Sequence, residues 1–69
     1  MTEVCDISVI VPCYNANRYL NICLESLKAQ RTPNIEMIFI NDGSTDATGA
    51  ILDAFARTES RAKVVHVHN

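Results

Sequence analysis

Two short polar segments hold the residue types best suited to chemistry. They are Pro12-Cys13-Tyr14-Asn15-Ala16-Asn17 and Asn41-Asp42-Gly43-Ser44-Thr45-Asp46. Each follows an apolar, β-branched run, so each reads as a loop leaving the carboxyl end of a strand. In parallel sheets ligands sit outside those ends, near a topological switch point. Loops from neighbouring strands open onto one edge, so their polar side chains can converge on one ligand. Asp42 at the end of a buried strand can accept hydrogen bonds from ribose hydroxyls or a base N–H, as acids do there in nucleotide-binding α/β folds. It can equally be a turn aspartate, since Asp-Gly is a common turn pair. Tyr14 offers a flat apolar body with a hydrogen-bonding tip. It can stack on a base or simply cover the sheet edge. Asn15 can touch a ligand or, more ordinarily, cap the following helix.

Other chemistries fit less well. The first loop contains no glycine, so it is neither a GxGxxG dinucleotide fingerprint nor a GxxxxGK[ST] phosphate loop. Cys13 has no histidine near it in sequence to activate it as a nucleophile. Asp42 and Asp46 are too few donors for a cation site. His66 and His68 face one side of a strand and could join a cysteine around a metal, but a polar strand face is the plainer reading. Gly43 supplies a permissive backbone.

Positioning those loops requires three strands and two helices. The runs Ile7-Ser8-Val9-Ile10-Val11, Ile35-Glu36-Met37-Ile38-Phe39-Ile40 and Val64-Val65-His66-Val67 are β-branched and bounded by polar or turn residues. The first two are nearly continuously apolar, as in strands covered on both faces of a parallel sheet. Between them, Leu20, Cys23, Leu24 and Leu27 form one helical stripe within 17–30, with Asn15 or Asn17 as its cap. Thr48, Ile51, Leu52 and Phe55 repeat that spacing within 45–57, with Ser44 or Thr45 as N-cap and Asp46 as a further cap residue that favours the helix dipole. Pro33 closes the first helix. The alternation predicts a β-α-β-α-β, Rossmann-like α/β fold with three layers, a parallel sheet and strand order 3-2-1.

Size and charge narrow the class. The chain has 69 residues, 48% of them apolar, with two glycines and two prolines, which excludes collagen-like and low-complexity chains. A chain this short buries only about 60% of its unfolded surface, and small domains usually add disulfides or metal. Three cysteines without CxxC spacing provide no such framework. Residues 35–69 carry five acids and three bases, which accounts for the net charge of −2. No basic run exists to neutralise phosphates, so nucleic acid is not an expected partner. No apolar run approaches the ~20 residues of a membrane span. The acidic start, Met1-Thr2-Glu3-Val4-Cys5-Asp6, is unlike a secretory signal, and unpaired cysteines suit the cytoplasm.

Taken together, Ile7-Ser8-Val9-Ile10-Val11-Pro12-Cys13-Tyr14-Asn15, then Tyr19-Leu20, Leu24-Glu25-Ser26-Leu27, Gln30, and Ile35 through Asn41-Asp42-Gly43-Ser44-Thr45-Asp46, resemble the start of a family 2 glycosyltransferase. A lone NDGS would be weak. VIVPxYN followed after 25 intervening residues by NDGSTD is specific. The resemblance covers residues 5–69 and implies half of a GT-A fold.

It further implies a nucleotide-sugar donor, usually a UDP-sugar. Pro12, Tyr14 and Asn15 would line the nucleoside pocket, and Asp42 would hold the base or the adjacent ribose. The family's reaction is inverting transfer of a sugar to an acceptor hydroxyl, as in polysaccharide biosynthesis. Mg²⁺ or Mn²⁺ holds the donor diphosphate and a carboxylate takes the acceptor proton. The DxD-type metal motif and the base normally lie further downstream. Residues 1–69 are therefore expected to be the N-terminal nucleotide-sugar-binding part of a larger enzyme, inactive alone. That enzyme would be cytoplasmic or on the cytoplasmic face of a membrane. The alternative is a standalone α/β nucleotide-binding module without catalysis. As part of a larger fold the first strand would be interior, so in residues 1–69 its apolar Val9-Ile10-Val11 edge lacks one neighbour, which invites self-association or poor stability. Sedimentation and melting of the dilute chain should therefore show association or a poorly stable fold, and a well-folded monomer would contradict this.

Overall fold

The computed structural model describes residues 7–30 and 34–68. Its elements run β1 (Ile7–Cys13), α1 (Leu20–Lys28), β2 (Ile35–Asp42), α2 (Thr48–Thr58) and β3 (Ala62–Val67). The three strands form one parallel sheet with β2 in the centre. Ile7 lies opposite Ile35 and Cys13 opposite Asn41, while Met37 lies opposite Ala62 and Asp42 opposite Val67. This α/β alternation follows from the periods in the sequence. Pro33, the expected stop of α1, lies outside the described residues.

The core lies on one face of the sheet. Ile35, Met37, Phe39 and Asn41 alternate with half-buried neighbours along β2, so every second side chain points at the helices. Met37, Phe39 and Leu52 are fully buried, joined by Leu20, Leu24, Cys13 and Ala62. The rings of Phe39 and Phe55 meet edge to face, with centroids 5.8 Å apart and planes at 86°. That arrangement matches the quadrupoles of the two rings.

The other face is open among the described residues. Ile10 is 61% exposed, Val65 47% and Val67 43%. Near its amino end Glu36 accepts hydrogen bonds from Ser8 Oγ at 3.0 Å and Lys63 Nζ at 3.3 Å. The continuous apolar runs predict three layers. The described residues form two, because both helices share the face that carries Met37 and Phe39. Among the described strands, β1 pairs with β2 alone and lies at the end of the sheet.

Both helices are shorter than their patterns suggested. In α1, Leu20 and Leu24 are buried while Cys23 is exposed. At about 100° per residue, Cys23 sits roughly 60° from Leu20, on the side away from Leu24. The stripe therefore reaches the core with its centre and leaves that margin in water. The carboxyl end of α1 is held from a distance. Arg61 Nη1 donates to the Gln30 carbonyl at 2.9 Å and Nη2 to that of Lys28 at 3.4 Å. A cation there satisfies orphan carbonyls and suits the negative end of the dipole. Glu59 steadies it, accepting from Arg61 Nε at 2.7 Å, and that bond holds the Glu59 carboxyl below its ordinary range.

Candidate functional site

Because β1 and β2 run parallel with Cys13 opposite Asn41, the loops after both strands leave the sheet at the same edge. There they are stitched together. The Asn15 N–H donates to Ser44 Oγ at 2.9 Å, and Asn15 Oδ1 accepts from the Thr45 N–H at 2.8 Å. The Ala16 N–H donates to Thr48 Oγ1 at 2.9 Å, and the Asn17 N–H to Asp46 Oδ2 at 3.2 Å. Two left-handed turns make this fit possible. Gly43 has φ 66° and Asn15 φ 46°. Glycine adopts that region without a Cβ clash, and asparagine is among the few other residues that visit it routinely.

These contacts revise the expected helix caps. Asn15 is not the cap of α1, because a capping residue has extended backbone and Asn15 is left-handed. Neither Asn15 nor Asn17 fills that place. Tyr19 precedes the helix without a side-chain cap, and the turn closes through Leu20 N–H to the Ala16 carbonyl at 2.9 Å. For α2, Ser44 and Thr45 are both spent on Asn15. Asp46 does serve the helix start as expected, its Oδ1 accepting the Thr48 N–H at 2.8 Å and the Thr48 hydroxyl. That hydroxyl bond is the main cause holding the Asp46 carboxyl below its ordinary range.

The four residues expected at the ligand all lie at this edge. Pro12 pairs with Ile40, two residues before Asp42, so Pro12 and Asp42 share the open face of the sheet. Asp42 is the last residue of β2, opposite Val67, and is exposed. Tyr14, just beyond β1, is 59% exposed. Asn15 is half-buried, and its side-chain oxygen is occupied by Thr45. The structure thus leaves Tyr14 and Asp42 as the open groups and makes Asn15 the joint between the loops.

Cys13 is buried, and burial, with the nearby Cys23 thiol second, pushes its thiol up, away from the thiolate a nucleophile needs. Among the described residues no three His, Cys, Asp or Glu side chains gather where they could hold a metal ion. His66 turns to the helix face instead, with Nδ1 3.0 Å from Asn41 Nδ2 and Nε2 2.9 Å from Asp53 Oδ1. Sequence reasoning treated Asn41 as a loop residue and passed over Asp53 and Gly49. One signal was available. Asn41 is in phase with Ile35, Met37 and Phe39, and a polar residue in a buried phase needs partners.

Known proteins resemble this chain over most of its length. The family model described as glycosyl transferase family 2 matches residues 8–69, from the second residue of β1 onward. The chain is 48% identical over 63 residues to the glycosyltransferase GlyG of Streptococcus pneumoniae, covering 91% of this chain and 21% of that protein. It is 38% identical to the glycosyltransferase YibD of Escherichia coli over all 69 residues, or 20% of YibD. It is 47% identical over 47 residues to the teichoic acid poly(glycerol phosphate) polymerase of Staphylococcus epidermidis, covering 68% of this chain and 6% of that protein. No helix among the described residues is long and apolar enough to cross a membrane. With the motif, the fold and the matched span in agreement, the chain belongs to glycosyl transferase family 2.

Proposed function

We propose that this chain provides the nucleotide-binding part of a nucleotide-sugar glycosyltransferase that uses a UDP-sugar donor and inverts the transferred centre. The observation carrying this reading is the stitched pair of loops, which leaves Tyr14 and Asp42 open at the carboxyl edge. Tyr14 offers a face for the base. The Asp42 carboxylate accepts hydrogen bonds from a base N–H or ribose hydroxyls, and Pro12 lines the same face. Asn15 acts mainly by holding the two loops in register.

The proposal treats residues 1–69 as the N-terminal donor-binding part of a longer polypeptide with a GT-A fold. The relatives suit this, since the chain spans between 6% and 21% of the three described above. A divalent cation would neutralise the donor diphosphate. The described residues do not offer it a ligand set, since Asp46 is committed to Thr48 and Asn17. In this reading the metal ligands, like the catalytic base and acceptor site, lie outside the described residues.

Calorimetric titration of the chain with UDP tests the reading. UDP should bind well ahead of NAD. Asp42→Ala should weaken UDP by ~1–3 kcal/mol, the size of a lost hydrogen bond to a charged group. Unchanged affinity in a folded Asp42→Ala chain would refute the role of Asp42. Equal binding of NAD would refute the donor class.

A further inference from the structure

Asn41 is only 8% exposed, and a buried amide needs partners at both ends. Its Oδ1 accepts the Ser44 N–H at 3.3 Å. A backbone N–H can only donate, so the oxygen must face Ser44 and the NH2 must face His66. His66 Nδ1 then accepts from Asn41 Nδ2 at 3.0 Å. The ring proton is left on Nε2, which donates to Asp53 Oδ1 at 2.9 Å. One continuous relay therefore runs from Asp53 on α2, through His66 on β3 and Asn41 on β2, to the loop after Asp42.

Two further observations show that the relay is built into the fold. The register of β2 and β3 sets Asn41 directly opposite His66. Gly49, in the first turn of α2, stands against both. A Cβ there would come within 2.8 Å of Asn41 Nδ2 and 3.5 Å of His66 Cε1. The turn it supports is tight, with the Gly43 N–H donating to the Asn41 carbonyl at 3.2 Å around Asp42. Ser44 Oγ in turn holds the Asn15 N–H, so both loops hang from the relay.

We propose that His66 is a positioning residue for the donor loop: by accepting from Asn41 it orients that amide, which fixes the Ser44 N–H and the turn presenting Asp42. The proposal rests on the reading of Asp42 as a nucleotide contact. His66 itself need not touch the nucleotide.

Two variants separate positioning from general support. His66→Asn keeps an acceptor near the place of Nδ1 but cannot reach Asp53. His66→Leu keeps the bulk and removes the acceptor. His66→Asn should hold UDP affinity within about twofold, whereas His66→Leu should lose about tenfold, the equivalent of one well-made hydrogen bond. Amide exchange at Ser44 should be slow in wild type and His66→Asn and fast in folded His66→Leu. In wild type, ¹⁵N spectra should show the His66 proton on Nε2. A proton on Nδ1, or equal Ser44 protection in His66→Leu and wild type, would overturn the proposal. If wild type does not bind UDP, the nucleotide reading fails, and Ser44 exchange with the His66 tautomer still decides whether His66 positions the loop.

Discussion

Phe39→Ala should abolish the cooperative thermal unfolding of this chain. Phe39 is fully buried at the centre of β2 and meets Phe55 edge to face at 5.8 Å. Truncating a buried phenylalanine typically costs ~3–5 kcal/mol, through lost transfer free energy and the cavity left behind. At ~0.05–0.15 kcal/mol per residue, a chain of this length has roughly 3–10 kcal/mol of stability in total. The single substitution thus removes a large part of it. The described fold has only one core to compensate, since the far face of the sheet is open. Circular dichroism on heating provides the measurement. Phe39→Leu should retain a cooperative transition at lower temperature, because it keeps most of the apolar volume. A Phe39→Ala chain that melted like wild type would show that the core lies elsewhere.

Thr48→Val should be the costliest conservative change at the site. The two side chains have nearly the same shape, and Thr48 lies in an apolar helical stripe, so valine looks harmless or even favourable. The structure argues otherwise. Thr48 is fully buried, and its hydroxyl accepts from the Ala16 N–H at 2.9 Å while donating to Asp46. Valine leaves the Ala16 N–H without that acceptor, at ~1–3 kcal/mol for a stranded donor. It also removes the main cause of the low Asp46 pKa.

The pH dependence follows with a definite sign. Because the folded-state pKa of Asp46 is depressed, its contribution is present above the unfolded aspartate value. It is lost as pH falls through the lower, folded value. In Thr48→Val the folded Asp46 value moves back toward the ordinary one, so the contribution is smaller and its loss is complete at a higher pH. Acid titrations of both chains, followed by the Asp46 carboxyl carbon resonance and by thermal melting, measure the two effects. Equal stability and an unchanged Asp46 midpoint would refute the role of the hydroxyl.

The alternation of elements was legible because its signals are local. β-branched runs of five or six residues and a 3.6-residue stripe each report on their own segment. The strand ends were legible for the same reason, and with them the positions of Tyr14 and Asp42. Sequence reading went wrong where a local rule competed with a distant partner. Asn15, Asn17, Ser44 and Thr45 are all good helix caps by type. Asn15 and Thr45 are 30 residues apart and bind each other instead. Cys23 counted as a stripe residue because periodicity reports an angle, not the width of the surface it meets.

The β-α-β-α-β order, the two polar loops and the motif pair that points to the family can all be read from the order of residues alone. Each depends on neighbours within a few residues, where propensity and turn chemistry act directly. Which polar groups stay open at the carboxyl edge depends on contacts between distant residues. Ala16 meets Thr48 across 32 residues, and Asn41 meets His66 across 25. Such pairs exist only once parallel strands settle into register and bring their carboxyl ends to one edge. That register commits Asn15, Asp46 and Thr48 to the scaffold, and it leaves Asp42 and Tyr14 facing water.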